Sequence, residues 1–452
     1  MPDNASQSEP TTRAGWLAPL VGYAFLNAAG AALLKGLGFL LFLWLAHALP
    51  VSEYARFGLL YALQSALIAG STSGITESLV LARRSRTAEL SSKQLLDAAN
   101  GVFLFLTIGA LVAAGALYLL ITRPPLSELA ELAFVLISGV LAAFFTLQAA
   151  NVRLDEQHLP ALGLSVVAPL IALFAAFAGF QFTRDVFGFF AGLMIGSIVA
   201  AAVFRYRGIG HFGLQPRWVA TAPLRTQVPA FLSIALLSWL SGYGVTYAVQ
   251  GLFQVSDVAK YTFLFTISAI LQLVATAANQ VWTPIFFRSI KDTEATEFPR
   301  QTQIFYIAQS FIVGFSGTII LIVLPFILDF AGGNLQSYRG LSLELYLLFI
   351  GYAVCTPWWH TQNHFVVEGH GQELNRIVLI SSLLGLAAWA GLIALFGTTG
   401  IYAGFAAQML IRSALAQYHA KRNWNVRLLW HGPVLATILL SLGAWGAGQI
   451  PL

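Results

Sequence analysis

Charge is what this sequence has least of. Asp, Glu, Lys and Arg make up 10% of its 452 residues, against about 25% in a soluble globular protein. So little charge cannot cover the water-facing surface of a chain this long. Cysteine is scarcer still: Cys355 stands alone, which excludes a disulfide framework and any cysteine-rich metal site. No cofactor-binding motif occurs, and no loop is long enough to house a soluble catalytic site. These absences exclude a soluble multidomain enzyme. What is present points one way: 58% of the residues are apolar, with 40 Gly and 34 Phe. That is the composition of an all-α polytopic membrane protein, in which Gly lets helices approach closely.

A helix needs roughly 20 mostly apolar residues to cross a ~30 Å hydrocarbon core. Stretches of that kind fall at about 18–47, 54–82, 95–122, 128–152, 159–181, 185–205, 226–252, 258–287, 302–328, 342–367, 374–397 and 400–419, twelve in all. A thirteenth, 433–448, is short and interrupted by Gly. The segment before Trp16 is polar and lacks the apolar core of a signal peptide, so it is expected to be a tail.

Lys and Arg gather in cytoplasmic loops. With the N-terminus placed inside, 17 of the 24 basic residues fall on the cytoplasmic side. Five (Arg56, Arg123, Arg184, Lys260 and Arg339) fall on the other, and Lys35 and Arg412 lie within spans. The excess predicts a cytoplasmic N-terminus. It also accounts for the net charge of +5 without nucleic acid as a partner; the partner is the lipid bilayer.

Residues Val51-Ser52-Glu53-Tyr54-Ala55-Arg56-Phe57 return as Val255-Ser256-Asp257-Val258-Ala259-Lys260-Tyr261, a shift of 204. Leu67 then meets Leu271 and Thr72 meets Thr276. Each copy reads as a helix start with Ser as N-cap and an acid favouring the positive end of the helix dipole. The second span maps on the eighth, so the chain divides into two parallel repeats of six helices around a central cavity, a transporter architecture. The expected organisation is a tail 1–17, a lobe 18–207, a cytoplasmic linker 208–225, a second lobe 226–421 and a tail 422–452 with a further helix.

The turn Leu49-Pro50-Val51-Ser52-Glu53-Tyr54, leading to Phe57-Gly58 and Gly74-Ile75, resembles the first-to-second-span signature of bacterial polysaccharide flippases. In the second half Pro229, Val258-Ala259-Lys260-Tyr261 and Asn279-Gln280-Val281-Trp282-Thr283-Pro284 agree with it. The chain is similar to the Wzx-type O-antigen flippases of the multidrug/oligosaccharidyl-lipid/polysaccharide (MOP) exporter superfamily. It departs from them at Gly242-Tyr243-Gly244, where a polar pair is common. The resemblance implies a non-enzymatic, multi-pass transporter of the bacterial inner membrane. It implies a lipid-linked oligosaccharide, carried on undecaprenyl diphosphate, as cargo, with a polysaccharide polymerase and glycosyltransferases as further partners. A multidrug or organic-cation antiporter of the same superfamily is the alternative.

Charge inside a span marks a candidate functional site. Lys35 lies at least ten residues from either end of its span, ~15 Å at 1.5 Å per residue, too deep to snorkel; a cavity-lining cation and an interhelical ion pair are the two readings. Arg412 shares a face with Gln408 but lies nearer the cytoplasmic end. Arg153 ends the fourth span and could meet a phosphate. Gln272, Thr276, Asn279, Gln280 and Thr283 share one face of the eighth span, read either as a polar seam lining the cavity or as plain interhelical hydrogen bonding. Trp359, His360 and His364 form a wall suited to sugars, or else an aromatic belt. The two His at i,i+4 lack the zincin Glu, so no metal is expected. Glu77 is the best-placed carboxylate for ion coupling, unless it merely neutralises Arg83 or Arg84.

Overall fold

The computed structural model describes residues 17–76, 78, 79, 92–155, 157–210, 222–292, 297–367 and 370–447, and among them there is no β-strand. The first lobe comprises α1 (Leu17–Ala48), α2 (Val51–Thr72), α3 (Ser92–Thr122), α4 (Leu129–Leu154), α5 (His158–Thr183) and α6 (Val186–Tyr206). The second comprises α7 (Ala222–Leu240), α8 (Val245–Leu252), α9 (Val255–Asp292), α10 (Glu297–Ala331), α11 (Ser342–Val354), α12 (Thr356–Val367), α13 (Gly371–Phe396), α14 (Thr399–Trp424) and α15 (His431–Gly446). Seven of these helices are long and apolar enough to cross a membrane, and α7 with α8 forms an eighth, bent pair. The chain is an all-helical, two-lobed membrane protein.

Four spans expected to be continuous are interrupted, the second of them by a turn at 73–74 after its helix ends at Thr72. Residues 241–244 break the seventh, with a 41° bend between its halves. Gly242 and Gly244 lie in this break, and Gly is a poor former of helix interiors. A turn at Cys355 separates α11 from α12, and a π-helical segment, Gly163–Val167, lies within α5. Such breaks frequently mark working sites.

α2 and α9 begin at Val51 and Val255, 204 residues apart, as the repeat requires. The capping differs from expectation: Pro50 is the N-cap of α2, with no side-chain bond, and Ser52 is its second residue. Pro can occupy that place because its missing N–H is one the helix start leaves unbonded in any case. The C-terminal helix α15 belongs to the second lobe and is not a loose tail. Thr318 donates to the Leu439 carbonyl at 2.7 Å, and the hydroxyls of Tyr346 and Ser441 lie 2.8 Å apart.

The end of the bundle bearing Pro50 and Gln254 is the distal end; the opposite, proximal end carries the start of α1. A single apolar core joins the two lobes in the distal half, built from Leu41, Leu45, Tyr54, Phe57, Tyr261, Phe263 and their neighbours. Towards the proximal end a second core, around Leu147, joins Ile75 and Leu95 to Leu224 and Val228 of α7, and a third, around Ala161, lies within the first lobe.

Candidate functional site

The lobes meet along α2. Gly58 faces Thr262 so closely that a Cβ there would overlap the threonine side chain. Tyr247 donates to the Leu59 carbonyl at 2.8 Å, and the Trp239 indole donates to the Ala62 carbonyl at 2.9 Å. Gly74, at φ +86°, would push a Cβ against the Val228 carbonyl. Distally, Asn334 donates to the His47 carbonyl at 3.3 Å, and the rings of Tyr54 and Tyr338 stand 5.9 Å apart. Tyr338 stacks on Phe263, and burial pushes its phenol pKa well above the ordinary range. The distal end is closed.

The packing loosens with depth. On α1, Leu41, Phe42, Leu45 and Ala46 are buried, but nothing lies within 4 Å of where a Cβ would sit on Gly36 or Gly38. On α9, continuous burial gives way after Ser268, and Gln272 and Ala277 are exposed. Lys35 is 13 residues from the distal end of α1 and Gln272 is 17 from that of α9. At 1.5 Å per residue these are depths of ~20 and ~26 Å. The mid-span turns of α1 and α9 are thus less covered than their distal turns.

Lys35 lies in this less covered stretch of α1. It is exposed, and so are Leu33 and Leu40, at 54% and 58%. Leu33 and Leu40 are seven residues apart and share a face, whereas Lys35, two residues beyond Leu33, points about 200° round the helix. The leucines suit lipid; the cation projects from the opposite side. Lys35 shares its face with Phe42, whose ring packs against Phe57 and Tyr61 of α2. Among the described residues no carboxylate pairs with it.

Arg412 is buried in the second lobe, 5% exposed. Its Nε lies 3.4 Å from the Ser381 hydroxyl and an NH2 group 3.5 Å from that of Ser382, with the guanidinium carbon 5.8 Å from the Trp358 ring centre. Gln408 donates to Ser241 at 2.6 Å. This polar cluster thus gathers side chains beside both helix breaks of the lobe, at 241–244 and at Cys355. No carboxylate neutralises Arg412 among the described residues.

The expected wall of α12 is largely internal. His360 and His364 are buried, and Trp359 is half-buried. Gln309 donates to the Ala275 carbonyl at 2.8 Å, so its oxygen accepts from His360 Nε2 at 2.6 Å. Asn363 donates to Asn279 at 3.1 Å. His364 packs edge-on against Phe286 and stacks on Trp424. His360, His364 and Asn279 therefore join α9, α10 and α12 to one another and do not form a sugar-facing surface. The reason is packing: the same face of α12 carries the aromatic contacts of the lobe interior. Thr276 is half-buried and donates to the Gln272 carbonyl. Arg153 is exposed at the end of α4. Glu77 and the side chains of Gln280 and Thr283 lie outside the described residues.

Two acids were missed in the sequence. Asp97, in the first turns of α3, and Glu131, in the first turn of α4, are each 4% exposed. Glu131 belongs to a cluster around Arg56: the guanidinium bonds Glu53 at 3.0 Å, Glu128 at 3.1 Å and Glu131 at 3.0 Å. The missed signal was Glu128 and Glu131 together at the opening of a span, facing an Arg one turn after Glu53.

No protein-family model matches the sequence, and no curated protein does. Solved structures do match in fold. The MATE transporter VcmN of Vibrio cholerae, in a point-mutant form, aligns with a TM-score of 0.60 at 14% identity, over 90% of this chain and 97% of that one. An inward-facing multidrug resistance MATE family transporter of the MOP superfamily gives 0.60 at 13% identity, over 91% and 95%. A MOP superfamily transporter from Pyrococcus furiosus, described as having a binding pocket of reversed polarity, gives 0.59 at 14% identity, over 94% and 95%. The chain has the MATE-like fold; at these identities the likeness shows the fold alone.

Proposed function

We infer that this protein is a secondary transporter that exports an amphipathic organic cargo by alternating access between its two lobes. One observation carries the reading: contacts between the lobes close the distal end, and Lys35 stands exposed at mid-span on the face opposite the leucines suited to lipid, as the wall of a cleft opening proximally requires. The basic excess of the proximal loops puts that end in the cytoplasm, so the cleft would load from inside. The solved neighbours include multidrug transporters, and they support this class of cargo better than the lipid-linked oligosaccharide to which the signature turn pointed. The cleft's own charge narrows the class. A cation at its wall favours neutral or anionic amphiphiles over organic cations.

The cationic interior also keeps a second reading, a flippase for an anionic, lipid-linked oligosaccharide. Lys35 would meet the diphosphate while the lipid tail stayed in the bilayer. Purified protein in proteoliposomes, given fluorescent amphiphiles of either charge, tests the first reading: anionic or neutral probes should move, and movement of cationic probes alone would overturn it. Deletion of the gene followed by analysis of lipid-linked sugars tests the second. An accumulating, inward-facing, unpolymerised intermediate would favour the flippase.

A further inference from the structure

We propose that Glu131 is a proton-binding site in the distal half of the first lobe, held by the Arg56 cluster and acting on α2. The argument begins with charge. Arg56 is the guanidinium shared by Glu53, Glu128 and Glu131, and Asp185 at the start of α6 adds a fourth carboxylate to the surroundings. Tyr118 approaches from α3. With every acid ionised, four negative charges would face one positive charge.

Helix starts absorb part of this excess, because Glu53, Glu131 and Asp185 each lie at the positive end of a helix dipole. Asp185 is further satisfied by the Gly188 N–H at 2.9 Å. Glu131 is not satisfied. Its side chain is 5% exposed, against 31% for Glu53 and 25% for Glu128. One of its oxygens, Oε1, accepts from Arg56; the other, Oε2, is buried with no hydrogen-bond partner. An ionised oxygen without a donor is the costliest state of a buried carboxyl. Protonation of Oε2 removes that charge and lowers the cluster's excess by one. Among the described residues no group of three His, Cys, Asp or Glu is arranged to hold a metal ion, so the ligand that fits is a proton.

The location gives the proton leverage. Arg56 lies two residues from Gly58, where α2 touches Thr262 of the other lobe, and two from Tyr54, which meets Tyr338. Loading Glu131 weakens one of the three anchors of Arg56 and so acts on the helix that both lobes share. Only this consequence rests on the transporter reading; the site itself does not.

Infrared difference spectroscopy of the purified full-length protein, with no cargo present, tests the proposal. A protonated-carboxyl band that disappears on alkalinisation is expected in the wild type. It should be missing in Glu131→Gln and retained in Glu373→Gln, a carboxylate of the other lobe. Absence of the band from the wild type, its persistence in Glu131→Gln, or its displacement by sodium would each overturn the assignment. The wild-type measurement stands even if the variant fails to fold. Because no cargo is involved, failure of the transport reading would leave the band intact, and a missing band would leave the transport reading standing.

Discussion

The two lobes start their second helices from the same sequence pattern and use it differently. In the first, Arg56 is drawn into a cluster of three carboxylates, two of them from a 3₁₀ turn at Leu126–Glu128 and the start of α4. In the second, its counterpart Lys260 meets Asp257 alone, at 3.4 Å. The corresponding distal loop of the second lobe brings Asn334 and Tyr338, which reach across to His47 and Tyr54. One repeat has spent that loop on an internal charge cluster and the other on closing the distal end. The same divergence appears at mid-span. Trp239 lies 204 residues on from Lys35 and bonds across the lobe interface to Ala62 and Ser65, while Lys35 is left exposed at mid-span. In one half this position is a contact between the lobes, and in the other a candidate binding surface.

The sharpest way to break this comparison is at Lys35. Lys35→Ala should reduce transport at least ~10-fold, a loss of about 1.4 kcal/mol of cargo interaction, with an unchanged melting temperature because the side chain is exposed. Lys35→Arg should keep activity. If transport survives Lys35→Ala, the cleft is not the cargo route. Next comes Arg56→Ala, measured above the pH at which Glu131 loses its proton, where it leaves that carboxylate buried without its cation. A cost on the order of 3 kcal/mol is expected from breaking a buried pair, read as a fall in the thermal midpoint. The double variant with Glu131→Gln should recover part of it, since residues in one network do not add independently.

The fold was legible in the sequence because a bilayer leaves few options. Lengths of apolar residues, basic loops and the 204-residue echo sufficed for an all-helical, two-lobed membrane protein, and α2 and α9 begin where the repeat placed them. The breaks were less legible. Gly242-Tyr243-Gly244 stood out only as a departure from a motif, and nothing near Cys355 announced a turn. Lys35 could be singled out because mid-span charge has no bland topological role. His360 and His364 could not be placed, because an amphipathic stripe does not say whether it faces a cavity or a neighbouring helix. Glu131 was hidden by position: a carboxylate at a span's end reads as interfacial until a partner from another helix buries it.

Arg412 sharpens the contrast from the second lobe. Unlike Arg56, it is buried among hydroxyls and an aromatic ring with no carboxylate to strand. A buried charge of this kind is a poor stabiliser, and apolar replacements of similar volume are often neutral or better. Arg412→Leu should therefore fold with stability within about 1 kcal/mol of the parent, or above it, while losing transport. A sharp drop in the melting temperature would make Arg412 a structural staple of the broken helices instead.

The smallest effect is expected where the comparison began. Lys260→Ala removes a half-exposed partner from one carboxylate, and exposed pairs are worth about 0–1 kcal/mol. Asp257 keeps a role afterwards, since it also accepts from the Gln254 N–H at the helix start, at 3.4 Å. The thermal midpoint should move by no more than a degree or two, and rising salt should erase the difference because exposed charges are screened. Arg56→Ala in the same salt series should keep most of its loss, because burial shields the cluster from screening. Equal losses at the two positions would mean that the repeats still use the motif in the same way, and that the added acids of α4 are ornament to the fold.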